Sequence, residues 1–452
     1  MKRWIERPSM SYRFVAGGSL IVLSAFLLFP EAFPVLTAVS LLLLSLLFFI
    51  HPLKPSPYNV AWLGWWLMVL VAVLVTADPN LTLPKLTGLL LGYAGWVYLR
   101  TAVQSRGHLW LAFSFWGALG AGFLLIGILS ASWIYKIPLL SAVLQRLPAQ
   151  VVQLPGSDAG VQPNQLAGTL LLYLPLLISL LLGGWSFLRS RLALTAVLIA
   201  AFITSITLLL TQSRSGWIGA AGGFLVLLIL WGSVLPPSGK RTWLWSGAAF
   251  LVILALAGTV WIGPERLKTA WDDPTQLQQT AVGSLGSVGF RQEVWRWAVT
   301  AVHDFPFTGT GLGTFRQVAR RLYPLNVSPT YDIAHAHDIF LQTALDVGLP
   351  GLIVYLALLL IAFWLGWQVA RRDETLRPFA LGLLAALAAL HIYGLTDALA
   401  LGSKTGLSFW LALGLLTAMQ QLVCQTAVTP PLAPPSVPAS GPDHPVSGST
   451  VS

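Results

Sequence analysis

The sequence predicts an all-α integral membrane protein with about 12 transmembrane helices and one large loop outside the membrane. Hydrophobic residues make up 56% of the 452-residue chain, charged residues only 9%, and the mean hydropathy is +0.75. Soluble domains carry about one quarter charged residues. Apolar runs long enough to cross a bilayer recur along the whole chain. The net charge of +10 does not indicate nucleic-acid binding, because the basic residues lie in ones and twos at the ends of these runs.

Windows of about 17 to 22 apolar residues define the candidate spans. The first run follows Lys2, Arg3, Arg7 and Arg13, and no small-residue cleavage site follows it, so we expect an uncleaved first helix. The spans lie near residues 14–30, 33–50, 60–77, 84–99, 109–130, 165–184, 192–211, 216–235, 243–262, 348–370, 378–396 and 405–423.

Basic residues in the short loops predict the orientation of these spans. With the N-terminus in the cytoplasm, fourteen basic residues lie on the cytoplasmic side and five on the other, so both termini are predicted to be cytoplasmic. The cytoplasmic set is Lys2, Arg3, Arg7, Arg13, Lys54, Arg100, Arg106, Arg189, Arg191, Lys240, Arg241, Arg371, Arg372 and Arg377, and the opposite set is Lys85, Lys136, Arg146, Arg214 and Lys404.

Two segments are too long to be simple connections between helices. The first runs from about 132 to 164, and the large outer loop runs from about 263 to 347. Within the large loop, Arg291–His303 has the pattern of an amphipathic helix, with Val294, Trp297, Ala298 and Ala301 on one face. Because apolar runs recur throughout residues 1–425, this range is predicted to form one membrane domain. The tail, residues 426–452, contains seven prolines and is predicted to be disordered.

Arg214 lies between two apolar runs at the outer end of a span. An arginine there opposes the positive-inside bias, and its small neighbours would allow a ligand to approach the backbone. The alternative is an ordinary helix-end arginine that reaches the membrane surface. Gly219 and Gly223, four residues apart, predict that this helix packs closely against a neighbour.

Arg291 begins the amphipathic loop helix, and Arg296 follows within it. A guanidinium group presents a planar fork that fits phosphate oxygens, and the free N–H groups of a helix start also favour phosphate. Both residues are therefore candidates for binding a diphosphate. A solvated helix face is the alternative, and it is the better interpretation for Arg320 and Arg321.

The sharpest cluster is AHAHDIFLQTALDVGLPG, residues 334–351, which places His335, His337 and Asp338 just before the tenth span. Two histidines in a His-x-His pair can bind zinc from a strand, but from a helix their rings would point to opposite sides. Because no convincing third ligand follows, we expect no metal. The other interpretations are a structural histidine or a general base, since imidazole titrates near neutral pH.

Five sequence segments occur together and in order between residues 163 and 351: PNQLAG, SRSGW, GFRQEVWRWA, DFPFTGTGLGTF and AHAHDIFLQTALDVGLPG. The combination resembles the O-antigen ligase and O-antigen polymerase superfamily of bacterial membrane glycosyltransferases. That resemblance implies transfer of a polyprenyl (undecaprenyl) diphosphate-linked glycan to a lipid or glycan acceptor on the outer face of the cytoplasmic membrane. It also implies inversion at the anomeric carbon, with no metal and no cofactor.

The resemblance also assigns roles to residues. The family's helix-end arginine corresponds to Arg214, its loop arginine to Arg291 and its histidine to His337. His335 and Arg296 are secondary candidates. Asp338 stands where the family has asparagine, so its role is open.

The function then has one preferred candidate and three alternatives. A ligase is preferred, and an O-antigen or exopolysaccharide polymerase of the same superfamily is the nearest alternative. A small-solute transporter of the bicarbonate type is the second alternative, although Glu31, Asp78 and Asp397 all lie at span ends rather than in mid-membrane. A catalytically inactive scaffold for envelope assembly is the third.

Overall fold

The computed structural model describes residues 10–52, 55–133, 135, 138–146, 160–184, 187–236, 239, 242–243, 245–247, 249, 286–324 and 333–428. Within these ranges the protein is helical, with one isolated β-bridge between Ala131 and Val161 and no strand. The predicted all-α fold class is confirmed.

Fifteen α-helices are described in these ranges, and most coincide with the predicted apolar runs. They are α1 (Met10–Leu23), α2 (Pro34–Ile50), α3 (Asn59–Leu74), α4 (Pro79–Ala102), α5 (Arg106–Ser130), α6 (Pro138–Leu144), α7 (Pro163–Leu170), α8 (Leu174–Gly183), α9 (Arg191–Leu210), α10 (Arg214–Val234), α11 (Gly286–Asp304), α12 (Phe315–Leu322), α13 (Ile339–Arg372), α14 (Arg377–Tyr393) and α15 (Gly406–Val428).

Six segments among the described residues are long and apolar enough to cross a membrane: α5, the α7–α8 pair, α9, α10, α13 and α15. Helices α2, α3 and α14, and α1 with the turn that follows it, are apolar but shorter. The predicted count of about 12 spans is thus not established, and most of the ninth predicted span lies outside the described residues. Residues 426–428, predicted to begin the tail, continue α15, and the rest of the tail is also outside the description.

Helix α13 begins nine residues earlier than the tenth predicted span and is interrupted at Gly348, where φ is +72°. A side chain at Gly348 would collide with the carbonyl oxygen of Phe307. The close approach lets Leu349 N donate to Pro306 O at 2.8 Å and Thr310 N donate to Leu345 O at 2.6 Å. The interruption therefore docks the turn containing GTGLG against α13.

Helix α10 packs closely against α14, as the glycine spacing predicts. Gly219 and Gly223 face Ala389 of α14 so closely that a side chain at either glycine would clash with it. At one end of this helix pair, Thr396 Oγ1 donates to Ser215 Oγ at 2.8 Å. This contact ties the start of α10 to the segment that follows α14.

The amphipathic part of the large loop has its own small core, which joins α11 and α12 to the start of α13. It consists of Val294, Ala298, Ala301, Phe315, Ala319, Ile333, Ala336 and Leu345. Trp297, predicted on the same face of α11, lies instead at the edge of this core, where its ring stacks on Tyr323 with centroids 5.4 Å apart. Because this core contains both Val294 of α11 and Ala336 of the His-x-His segment, it holds α11 beside that segment.

Candidate active site

The His-x-His segment forms a tight turn immediately before α13. His337 has a left-handed backbone conformation with φ +52°, which is uncommon for a residue other than glycine. His337 N donates to His335 Nδ1 at 3.2 Å, and the two ring centroids are 4.3 Å apart. The segment is neither the strand nor the helix that the sequence analysis considered, and its left-handed turn brings the two rings together.

Asp397, which lies between α14 and α15, joins the two histidines. Its side chain is only 3% exposed. Its Oδ1 lies 3.5 Å from His337 Nδ1 and 3.6 Å from His335 Nε2, and accepts from Ala398 N at 2.9 Å. At 3.5 Å the contact with His337 is an electrostatic pair rather than a good hydrogen bond.

Arg291 reaches the same carboxylate from α11. Its Nη2 lies 3.6 Å from Asp397 Oδ2, and its side chain is 16% exposed. Nearby, the ring of Phe290 meets that of His337 edge-on at 5.6 Å. The structure therefore brings together two of the predicted site residues, Arg291 and His337, with His335 beside them.

Three polar atoms of this cluster are buried and have no hydrogen-bond partner within the described ranges: His337 Nδ1, Arg291 Nε and Asp397 Oδ2. Buried polar atoms in folded proteins nearly always have partners, so each such atom needs an explanation. Here all three residues take part in ion-pair contacts of 3.5 or 3.6 Å with one another, so the three atoms mark a buried charged cluster rather than a packed apolar core.

Arg214 begins α10, and the preceding residue caps the helix, with Ser213 Oγ accepting from Gly216 N at 3.1 Å. Arg214 and Arg291 are close enough for their positive charges to repel each other. Two guanidinium groups held near each other, one of them at a helix start, form a suitable environment for a diphosphate.

Burial and charge distinguish the two histidines. Burial lowers the pKa of His335 to about 4, and the attraction of Asp397 only partly opposes this effect. His335 is therefore neutral at pH 7. Because its Nδ1 accepts from His337 N, the remaining proton is assigned to Nε2, which faces Asp397.

Asp397 stays charged despite its burial. Burial alone would raise the pKa of Asp397, but the contact with His337 and the charges of His335, His337 and Arg291 together lower it. A buried negative charge beside His337 would stabilise a positive charge on that imidazole.

The ligand atoms of His335, His337 and Asp397 lie within 4.8 Å of one another, so these three residues could hold a metal ion. Two imidazoles and a carboxylate are a donor set that suits zinc. Arg291, however, is 3.6 Å from the same carboxylate, and its positive charge opposes a second cation there.

The structure does not bring the other two predicted residues into the cluster. Asp338 caps α13, with its Oδ1 accepting from Phe340 N and Leu341 N at 2.8 Å each. Arg296 is exposed, and its guanidinium lies 4.5 Å from the ring centroid of Trp297.

Asp397 is the residue of the cluster that the sequence analysis missed as a site residue. It follows α14, beyond the segments that carry the resemblance. The available signal was an acidic residue in an otherwise apolar stretch, GLTDALALG, and that stretch offers no motif or spacing that links it to the histidines.

A family model described as O-antigen ligase matches residues 199–356. This part of the chain, about one third of its length, is similar to the O-antigen ligase family. The match supports membership in the O-antigen ligase/polymerase superfamily, whose members are membrane glycosyltransferases, and therefore supports an enzymatic role. It contains Arg214, Arg291 and His337, and it ends before Asp397. A comparison with curated proteins finds no match.

Proposed function

We propose that this protein is an O-antigen ligase-type glycosyltransferase that acts on the outer face of the bacterial cytoplasmic membrane. It transfers a glycan from a polyprenyl diphosphate to a hydroxyl group of a lipid or glycan acceptor. The observation that carries the proposal is the convergence of His337 and Arg291 on the buried carboxylate of Asp397. The family match to O-antigen ligase supports it.

The proposed reaction is a single displacement. The acceptor oxygen attacks the anomeric carbon of the glycan, and the bond from that carbon to the diphosphate oxygen breaks. The acceptor proton passes to His337 Nε2, while Nδ1 carries its proton toward Asp397. Attack from the side opposite the leaving group inverts the anomeric centre.

Charge develops in two places during this step, and the cluster has a group for each. The leaving polyprenyl diphosphate gains negative charge, which Arg291 and Arg214 stabilise. His337 gains positive charge, which Asp397 stabilises at 3.5 Å. His335 is neutral, and its Nε2–H lies 3.6 Å from Asp397 Oδ1, where its dipole favours the charged carboxylate. No metal ion or cofactor takes part in the proposed step.

The proposal is tested by incubating the purified protein with a polyprenyl-diphosphate oligosaccharide and separate acceptors: a lipid A core, a peptide and a second lipid-linked glycan. Mass spectrometry identifies the products. Transfer to the lipid A core indicates a ligase, and lengthening of the lipid-linked glycan indicates a polymerase. Loss of transfer after chelation, with recovery on adding zinc, would contradict the metal-independent mechanism. Absence of transfer with every acceptor, together with solute uptake by proteoliposomes, would favour a transporter.

A further inference from the structure

A buried side chain on α13 connects the His-x-His turn to a second part of the loop. Gln342 is 5% exposed, and its Oε1 accepts from Ala336 N at 2.8 Å. Its Nε2 donates to Asp346 Oδ1 at 2.8 Å, and the same oxygen accepts from Gly313 N at 2.9 Å. Gln342 thus links the backbone between the two histidines to the GTGLG turn.

The bond from Ala336 N is well placed to control His337. Ala336 lies between the histidines, and the next residue has the uncommon backbone conformation with φ +52°. A non-glycine residue in that conformation is strained and persists where surrounding contacts hold it. Two contacts hold this turn from its two sides: Gln342 on Ala336 N, and Trp295 Nε1, which donates to His337 O at 3.3 Å.

Asp346 determines which way the Gln342 amide points. Oδ1 of Asp346 is an acceptor, and it already accepts from Gly313 N, so the NH₂ group of Gln342 faces Asp346. The carbonyl oxygen of Gln342 must then face Ala336 N. Without Asp346 the amide could rotate by half a turn and present its NH₂ group to Ala336 N. Because Ala336 N is itself a donor, the hydrogen bond between them would be lost.

We propose that Gln342 and Asp346 are positioning residues that hold the His337 imidazole in the orientation required for proton transfer. Neither residue touches the substrate in this scheme. The inference rests on the proposed function for its kinetic consequence, but the hydrogen-bond chain itself does not depend on the substrate.

The first test replaces Gln342 with leucine, which removes both hydrogen bonds at similar volume. Because a misplacement of about 1 Å near a reacting group costs roughly a hundredfold in rate, kcat should fall by about 10- to 100-fold. KM for the lipid-linked donor should change less than about twofold, because Arg291 and Arg214 do not take part in the hydrogen bonds of Gln342 and Asp346. Equal kcat in Gln342→Leu and wild type would overturn the proposal.

A matched control is available in α12. Gln317 also donates its side-chain Nε2 to a carboxylate, Asp78 Oδ2, but has no contact with the histidine turn among its described hydrogen bonds. Gln317→Leu therefore loses a comparable bond and should keep kcat. An equal loss of kcat in Gln317→Leu would show that the effect of Gln342→Leu is a general destabilisation of the loop.

Two further variants keep the proposal testable if Gln342→Leu fails to fold. Gln342→Glu retains an acceptor for Ala336 N but places a second carboxylate beside Asp346. Lys85 is the cation that attracts Asp346, and its single charge balances only one of the two carboxylates, so they share a proton. Its kcat relative to wild type should recover as the pH falls from about 8 to 6. Adding Asp346→Asn restores a donor to the new carboxylate and should remove this added pH dependence. An identical pH profile in wild type and Gln342→Glu would contradict the proposal.

Hydrogen–deuterium exchange separates failure of this inference from failure of the proposed function. In a peptide spanning residues 333–345, Ala336 N should exchange faster in Gln342→Leu than in wild type and remain protected in the double variant. Unchanged exchange would remove the positioning role even if wild type transfers glycan. If Ala336 N exchanges faster in Gln342→Leu but wild type has no transferase activity, the positioning role of the hydrogen-bond chain is supported and the proposed reaction is rejected.

Discussion

Replacing Asp397 with asparagine is the most direct test of the charge arrangement at the site. The substitution keeps the shape of the side chain and removes its negative charge. In the proposed reaction His337 becomes positively charged in the transition state, so Asp397→Asn should lower kcat. KM for the lipid-linked donor should change less, because the two arginines that face the diphosphate remain.

The magnitude follows from the separation of the two groups. A unit charge on Asp397 and a unit charge on His337 at 3.5 Å attract by about 5 kcal/mol at an effective dielectric constant of about 20. The amide dipole of asparagine retains part of this attraction. We therefore expect a loss of about 3 to 4 kcal/mol, which corresponds to a fall in kcat on the order of 100- to 1000-fold.

The assay is single-turnover transfer from a fluorescent lipid-linked oligosaccharide, with thermal unfolding of each variant measured in the same detergent. Asp338→Asn is the matched control, because it makes the same chemical change next to His337. Asparagine caps helices about as well as aspartate, so this control should stay within about threefold of wild type. Retention of kcat in Asp397→Asn, or an equal loss in Asp338→Asn, would refute the assignment of Asp397.

Four other outcomes follow from the same cluster and topology. His337→Ala should lower kcat by about 10²- to 10⁴-fold without changing donor binding, as measured by transfer and donor titration. Arg291→Lys should lose nearly as much activity as Arg291→Ala, because lysine lacks the two-donor fork, and a fully active lysine variant would contradict this. Because the pKa of His335 is about 4 in the folded protein, below its ordinary value of about 6.5, the unfolded chain binds the proton first as the pH falls. Wild type should therefore lose thermal stability between about pH 6.5 and 4, and His335→Asn should lose less. Reporters should read as cytoplasmic after Arg372 and external near Gly283, and an internal reading at Gly283 would place the proposed site on the wrong side.

Hydropathy predicted most of the described helices because an apolar run of sufficient length has few alternatives to a helix in lipid. It placed the start of the tenth span at residue 348, and so it missed both the first nine residues of α13 and the interruption that separates them from the rest of the helix. The conformation of Gly348 depends on Phe307, whose carbonyl oxygen lies too close to admit a side chain. That contact joins segments far apart in the sequence and leaves no local periodicity.

In the candidate site, too, some residues could be selected from their local sequence, whereas others depend on contacts between distant segments. Arg214, Arg291 and His337 could be selected from the sequence because each lies in a segment that carries the resemblance. Asp397 could not, because its contact with the histidines depends on the packing of α14 against α10 and α13. The relative orientation of the two imidazoles was also missed, since it depends on a single left-handed residue at His337.

The neighbouring residues His337 and Asp338 invite interpretation as a catalytic pair, but their backbone geometry separates them. Asp338 is extended, with φ −154°, and its carboxylate turns toward the first N–H groups of α13. Both bonds go to Oδ1, and an asparagine oxygen could accept the same two bonds. An asparagine here, which the resemblance implies for the family, would therefore be expected to leave the chemistry at His337 unchanged. The left-handed turn at His337 directs its ring instead to Asp397, so the carboxylate that acts on the imidazole comes from another part of the chain.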